Sequence, residues 1–387
     1  MRPPKIREGN HVTAAPATTP NEAPSPASGG SDPWITSDRI FLALLVIFVP
    51  AAIAAHFFHW GTWTFVLCAI AIVPVARLMG EATEVVAHRL GPGIGGLMTA
   101  SFGNAAELII GIAALREGKV EVVKASIAGG ILANLLLVLG SSVLASGIGV
   151  KKRTFNGTAA LSGSAMLFLA LTAILVPDIF HLVRADEALP YMDRISIAIA
   201  IILLVIYAIS LIFALKTHAH LYAAEDHGTP EELPPWSFRK ALVVLVSATV
   251  GIIVLAEFLV GALEPAIDSF GFTHTFVGVM VLAVVGGAAE NSTAIMMAVK
   301  GKMALAFNLA FESSKLIALF VAPVLVLVSH AVGHPMSLEF SHMEVVGIAV
   351  GVGAASLIAL DGESNWLEGV MLLGVYAILG VAFFYIP

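Results

Sequence analysis

The sequence predicts an all-α, polytopic membrane protein with eleven transmembrane helices, one extra N-terminal helix plus two inverted five-helix repeats. Three observations carry this. Of 387 residues, 58% are hydrophobic and only 12% are charged, whereas a soluble domain is about a quarter charged. Apolar runs recur that exceed the roughly 20 residues a helix needs to cross a bilayer. Finally, Gly103-Asn104-Ala105-Ala106-Glu107 returns 183 residues later as Gly286-Gly287-Ala288-Ala289-Glu290, and Gly118-Lys119 returns at the same offset as Gly301-Lys302. Internal repetition of this kind marks a fold built from two related units. The 35 glycines suit close helix packing in lipid. The lone cysteine, Cys68, lies in an apolar run and reads as packing. No Cys/His cluster has the spacing of a structural zinc site.

In chain order, residues 1–38 are a polar, aperiodic mixture of Pro, Ala, Ser, Thr and Gly, expected to be a disordered tail. The first transmembrane helix occupies 39–60, the first repeat 61–216, an inter-repeat loop 217–237 and the second repeat 238–387. The expected crossings cover 39–58, 62–79, 92–115, 120–147, 157–180, 194–215, 238–262, 271–299, 303–331, 341–360 and 366–386. Gly61, Gly91-Pro92-Gly93, Gly118 and Pro265 mark breaks. Asp361-Gly362-Glu363-Ser364 is a short connection before the last helix. The inter-repeat loop carries His218, His220 and His227 among acidic residues. It reads as a solvated connection or, alternatively, as a metal- or proton-sensing loop.

Placement of Lys and Arg orients the ladder. With the N-terminus cytoplasmic, that side receives Arg2, Lys5, Arg7, Arg39, Arg77, Arg89, Lys151, Lys152, Arg153, Lys216, Arg239, Lys240, Lys300 and Lys302. The opposite side receives Arg116, Lys119, Lys124, Arg184 and Arg194, and Lys315 lies within a span. The asymmetry places the N-terminus inside. The two repeats then enter the membrane from opposite sides, so the Glu107 and Glu290 helices run in opposite directions and their carboxylates meet near the midplane.

A carboxylate in a membrane span is costly and marks an ion or proton pathway. An ionised Glu107 or Glu290 binds a cation and a neutral one holds a proton, so the two loads exclude each other. That is the minimum requirement for exchange, and it makes Glu107 and Glu290 the candidate metal-binding and proton-exchanging pair. Asn104, one helical turn from Glu107, offers an amide oxygen, and oxygen-rich coordination suits hard cations such as calcium. Asn291, Ser292, Glu312 and Ser313 are candidate supporting groups in the second half. Gly103, Gly286 and Gly287 permit close helix approach. The alternative for the two glutamates is a structural carboxylate paired within the bundle. Glu81 and Glu84, three apart on one face, and Glu257, within the seventh span, are candidate proton stations; Glu81 and Glu84 read equally as interfacial anchors. Lys315 lies three residues from Glu312 and is expected to compensate its charge or share it with Glu290. The alternative is a lysine whose stem reaches the headgroups.

These residues resemble the calcium/proton exchanger (CAX) family of the cation/calcium exchanger superfamily. Gly103 to Ile110 is close to that family's first repeat signature and Val285 to Glu290 to its second. Ile317 to Pro323, Ala256 to Gly261 and Asp361 to Gly369 add matches in the same order, and the resemblance covers roughly residues 40–387. It implies an eleven-helix secondary antiporter that moves calcium against protons by alternating access, with the paired glutamates carrying exchange and Asn104 assisting. Calcium or another small cation, protons and membrane lipids are the implied partners, and higher oligomers are frequent in the family. No cofactor, catalytic residue or nucleic acid is implied, and calcium is cargo. The short tail and compact loops point to a bacterial inner (plasma) membrane.

The second half departs from the family pattern. The family usually has Asn where Gly287 stands, His at Asn291, Gly at Glu312, a small or apolar residue at Lys315 and Gln at Leu316; Gly130 stands where Ser is common. An ATP-driven pump is a poor alternative, since no GxxxxGK[ST] loop or associated soluble domain is present, and inverted glutamate repeats favour alternating access over a channel. Proton-coupled antiport of another divalent or monovalent cation, and a non-transporting membrane cation sensor or scaffold, remain as alternatives.

Overall fold

The computed structural model describes residues 33–155, 157–183, 185–217 and 235–385. The tail up to residue 32 and the histidine-bearing stretch 218–234 lie outside the described residues. The first helix, α1, spans Pro33–Phe57 and so begins before residue 39. The first repeat then runs through α2 (Thr62–Phe102), α3 (Ala105–Arg116) and α4 (Val120–Leu132). A π-helical stretch, Ala133–Val138, carries α4 into α5 (Leu139–Gly147), and α6 (Gly157–Val183) and α7 (Ala185–Ile212) complete the unit.

The second repeat opens with α8 (Phe238–Gly261), short α9 (Leu263–Phe270) and α10 (His274–Phe276). A π-helical stretch Val277–Leu282 leads into α11 (Ala283–Gly286), followed by α12 (Ala288–Val299) and α13 (Met303–Leu316). A further π-helical stretch, Ile317–Val321, precedes α14 (Ala322–Val332), α15 (His342–Ala359) and α16 (Trp366–Tyr385). Two-residue strands, β1 (Arg153–Thr154) and β2 (Glu363–Ser364), pair antiparallel and tie the repeats at one end.

The sequence repeat is matched in backbone detail. The helices Ala105–Arg116 and Ala288–Val299 keep the 183-residue offset at both ends. Each is followed by a left-handed glycine, Gly118 (φ 71°) and Gly301 (φ 80°), a conformation that favours glycine. Lys119 (φ −83°, ψ 53°) and Lys302 (φ −88°, ψ 57°) then start the next helices in nearly the same conformation.

Among the described residues, nine helices are long and apolar enough to cross a membrane. Bulky apolar side chains such as Ile201, Val205, Ile209, Val243, Val246, Val250, Ile378 and Val381 stand exposed along α7, α8 and α16, as lipid-facing surfaces do. The chain is a multi-pass membrane protein. The expected crossings at 92–115 and 271–299 are not continuous helices. The first breaks at Gly103-Asn104 and the second at Gly287. A 113° bend also separates Leu263–Phe270 from His274–Gly286. The second expected span ends not at 79 but near Gly91 (φ 82°), because the Arg77–Glu81 pair lets the helix continue past its charged residues.

One helix crossing, of α4 with Val277–Leu282, brings the repeats to backbone distance. A Cβ on Gly129 of α4 would lie 2.3 Å from the Val279 carbonyl oxygen. A Cβ on Gly278 would lie 2.4 Å from Ala125 Cβ. Helices α2 and α8, the first of each repeat, also lie side by side.

Candidate functional site

Both glutamates sit on the third residue of a helix that starts afresh after a break. A helix start presents unpaired N–H groups and the positive end of the macrodipole, which accommodates a carboxylate in apolar surroundings. The break itself follows from the residues. Asn104 (φ −104°, ψ 31°) and Gly287 (φ −83°, ψ 4°) occupy equivalent positions and leave the helical region together. Neither helix start is capped by a side chain, so the Asn104 amide is free for other work.

Each carboxylate rests against the opposite repeat. A Cβ on Gly286 would lie 2.9 Å from Glu107 Cγ, and a Cβ on Gly103 would lie 3.2 Å from Glu290 Oε1. The glycines at 103 and 286 therefore make the room in which the partner glutamate lies. Neither glutamate is sealed off; both are half-buried.

Ser313 on α13 organises the polar groups around Glu290. Its hydroxyl donates to Glu290 Oε2 at 2.7 Å and accepts from Asn134 Nδ2 at 2.9 Å and, more weakly, from Asn104 Nδ2 at 3.4 Å. Both asparagines are buried, so their satisfied N–H groups leave the amide oxygens for other partners. Asn134 was not a candidate from the sequence. Its signal was available: a polar amide within Ile131–Leu139, an otherwise apolar run. Beside Glu107 a cavity of about 20 Å³ is lined by Ser126, Ile127, Leu282, Ile317 and Leu325, room for about one water. Among the described residues, no group of three or more His, Cys, Asp or Glu is placed to hold a metal. Two carboxylates with amide and hydroxyl oxygens gather here, and oxygens of this kind suit a hard cation.

The other candidates divide. Asn291 is buried one turn beyond Gly287 and faces Glu107 across it. Ser292 turns its hydroxyl back to the Ala289 carbonyl at 2.8 Å. Glu312 does not supply a carboxylate to the Glu290 cluster: it pairs with Lys315 on its own helix, and Ser313 is the residue that reaches Glu290. Lys315 is buried rather than extended to the headgroups.

Glu81 pairs with Arg77 at 2.8 Å, and the Arg77 guanidinium lies over Phe41, 4.1 Å from the ring centroid. Glu84 is on the exposed side of α2. Glu257 is not deep, contrary to the sequence expectation. It is 48% exposed near the end of α8 and pairs with Arg116 at 2.7 Å. Position within an apolar run places a residue along a helix but not on which side of it.

The chain is similar to known ion exchangers along most of its length. The model of the sodium/calcium exchanger protein family matches residues 60–216 and 240–385. The Ca(2+)/H(+) antiporter of Synechocystis sp. is 43% identical over 370 residues, 91% of this chain and 99% of the relative. The Ca(2+)/H(+) antiporter ChaA of Bacillus subtilis is 38% identical over 351 residues, 90% of this chain and 99% of the relative. Among solved structures, the selenium-substituted Ca2+/H+ antiporter YfkE superposes with a TM-score of 0.78 at 36% identity, over 90% of this chain and 100% of the other. The H+/Ca2+ exchanger CAX shares the fold, with a TM-score of 0.67 at 16% identity over 90% and 92%. With its two matched repeats and paired glutamates, this chain belongs to the sodium/calcium exchanger protein family.

Proposed function

We propose that the protein is a secondary active antiporter that exchanges calcium for protons by alternating access, with Glu107 and Glu290 as the exchanging groups. The observation that carries this is the reciprocal seating of the two glutamates, each at a helix break and each against a glycine of the other repeat. Ionised, the pair presents two negative charges to a divalent cation, joined by the amide oxygens of Asn104 and Asn134. Protonated, it presents none, and the cation loses its counter-charge. The named activities of the Synechocystis and Bacillus relatives support calcium and protons as the cargo.

The cytoplasmic N-terminus and a bacterial inner membrane belong to the same proposal. The asymmetry of the basic residues supports the orientation, and the Gly301 turn lies beside Arg153, which keeps these two basic loops on one common side. The test is counterflow in proteoliposomes. An imposed proton gradient should drive calcium uptake, with manganese, magnesium, sodium and potassium as competing ions. Glu107→Gln and Glu290→Gln should each nearly abolish flux in folded protein. Full coupled transport by either variant would remove that residue from the exchange.

A further inference from the structure

The two repeats place an amide on opposite sides of their glutamates. In the first, Asn104 stands three residues before Glu107 and Leu108 follows it. In the second, Gly287 stands three residues before Glu290 and Asn291 follows it. Positions 287 and 291 are one helical turn apart, so they share a face.

The backbone does not require glycine at 287. Its φ of −83° and ψ of 4° are close to those of Asn104, and both have the negative φ open to any L-residue. Space there is tight. A Cβ there would lie 3.2 Å from Asn291 Nδ2, 3.4 Å from Asn291 Oδ1 and 3.3 Å from Glu107 Oε1. The Asn291 carboxamide and the Glu107 carboxylate thus border the space that a residue 287 side chain would enter.

The Asn291 amide is also uncommitted. Those of Asn104 and Asn134 donate to Ser313, but the Asn291 carboxamide, in a residue 8% exposed, bonds to none of the described residues. A carboxamide oxygen is a normal ligand for calcium.

We propose that the Asn291 carboxamide is the second repeat's cation ligand, carried one turn along α12 into the room that Gly287 leaves beside Glu107. This inference rests on the exchange-centre reading above. The glycine at 287 and the asparagine at 291 are then one coupled change, in which the amide leaves one position and enters the other.

The test is calcium binding to the purified full chain in detergent, measured by calorimetry. Asn291→Ala should weaken binding by roughly tenfold or more, the loss of one contact to a charged group. Gly287→Asn alone should also weaken it, because its Cβ crowds Asn291. The double variant Gly287→Asn/Asn291→Ala should bind better than either single and return to within about threefold of the parent, since neighbouring residues couple rather than add. Gly287→Ala/Asn291→Ala should stay as weak as Asn291→Ala.

Parent-like binding by Asn291→Ala overturns the proposal, as does equal recovery by the two double variants, which would mean packing alone. If Asn291→Ala gives no folded protein, Asn291→Ser carries the same expectation. Misfolding of both also counts against a ligand role, because an empty site should not need its ligand to fold. Glu290→Gln separates the two readings. If it abolishes binding while Asn291→Ala does not, only this inference fails. If it binds calcium like the parent, the exchange-centre reading fails.

Discussion

Ser313 holds the centre of the site at the residue scale. Replacing it with Ala would leave Glu290 without its hydroxyl donor and the buried Asn134 and Asn104 amides without their acceptor. The expected cost is about 1–3 kcal/mol of stability, read as a lower melting temperature in detergent, together with weaker calcium binding. Ser313→Thr, which keeps the hydroxyl, should recover most of both. The Glu312–Lys315 pair makes a second, asymmetric case. The lysine side chain is 8% exposed and the glutamate 46%. Lys315→Met therefore leaves a half-exposed carboxylate, whereas Glu312→Gln strands a buried ammonium. Glu312→Gln should lose roughly 3–5 kcal/mol if the lysine stays charged, and Lys315→Met clearly less. The combined variant should recover part of the loss, because both halves of the pair have gone. Equal or strictly additive losses in thermal melts would show that the two residues act separately.

Glycine separates into two kinds at the scale of elements. Gly129 and Gly278 lie where α4 crosses the π-helical stretch Val277–Leu282, and a Cβ at either would run into the facing helix. Gly129→Ala and Gly278→Ala should each cost about 1–3 kcal/mol or more, seen as lost folded yield and a lower melting temperature. Gly374 of α16 has open space around it. Gly374→Ala should be neutral or stabilise by up to about 1 kcal/mol through helix propensity alone. A matching loss at Gly374 would mean that backbone freedom, not helix approach, explains the crossing glycines.

Across the whole molecule, the repeats are tied at one end by charge. Lys119, which opens α4, pairs with Glu264 of α9, and Glu264 also meets His274 at 3.1 Å. The hydrogen bond from Lys119, helped by His274 and opposed by partial burial, holds the Glu264 carboxyl below its ordinary range. The folded form therefore releases this proton more readily than the unfolded chain. The resulting stability is complete above the ordinary glutamate pKa of about 4.3 and is lost as pH falls through the lower folded value. Glu264→Gln should accordingly melt below the parent at neutral pH, with the gap closing in acid. Because Glu264 is substantially exposed, the gap should be small and shrink in salt. A gap that widened in acid would reverse the assigned sign.

The sequence by itself determined the membrane class, the two repeats, the paired glutamates and the glycines beside them. These properties are written locally: a run of apolar residues forces a backbone to satisfy itself as helix in lipid, and a motif that recurs at a fixed offset is visible without coordinates. The three-residue spacing of Glu312 and Lys315 likewise brought them within reach on one helix. Only the tertiary structure decided which side of each helix meets which neighbour. Glu257 and Glu107 both lie in apolar stretches, yet one faces outward to Arg116 and the other meets Gly286 of the opposite repeat. Asn134 joined the site because α13 brings Ser313 to it across 179 residues of chain, a contact no local pattern encodes. The helix breaks at Asn104 and Gly287 were likewise hidden in continuous apolar runs, since neither residue needs an unusual φ to interrupt a helix whose ends are held by packing from the other repeat.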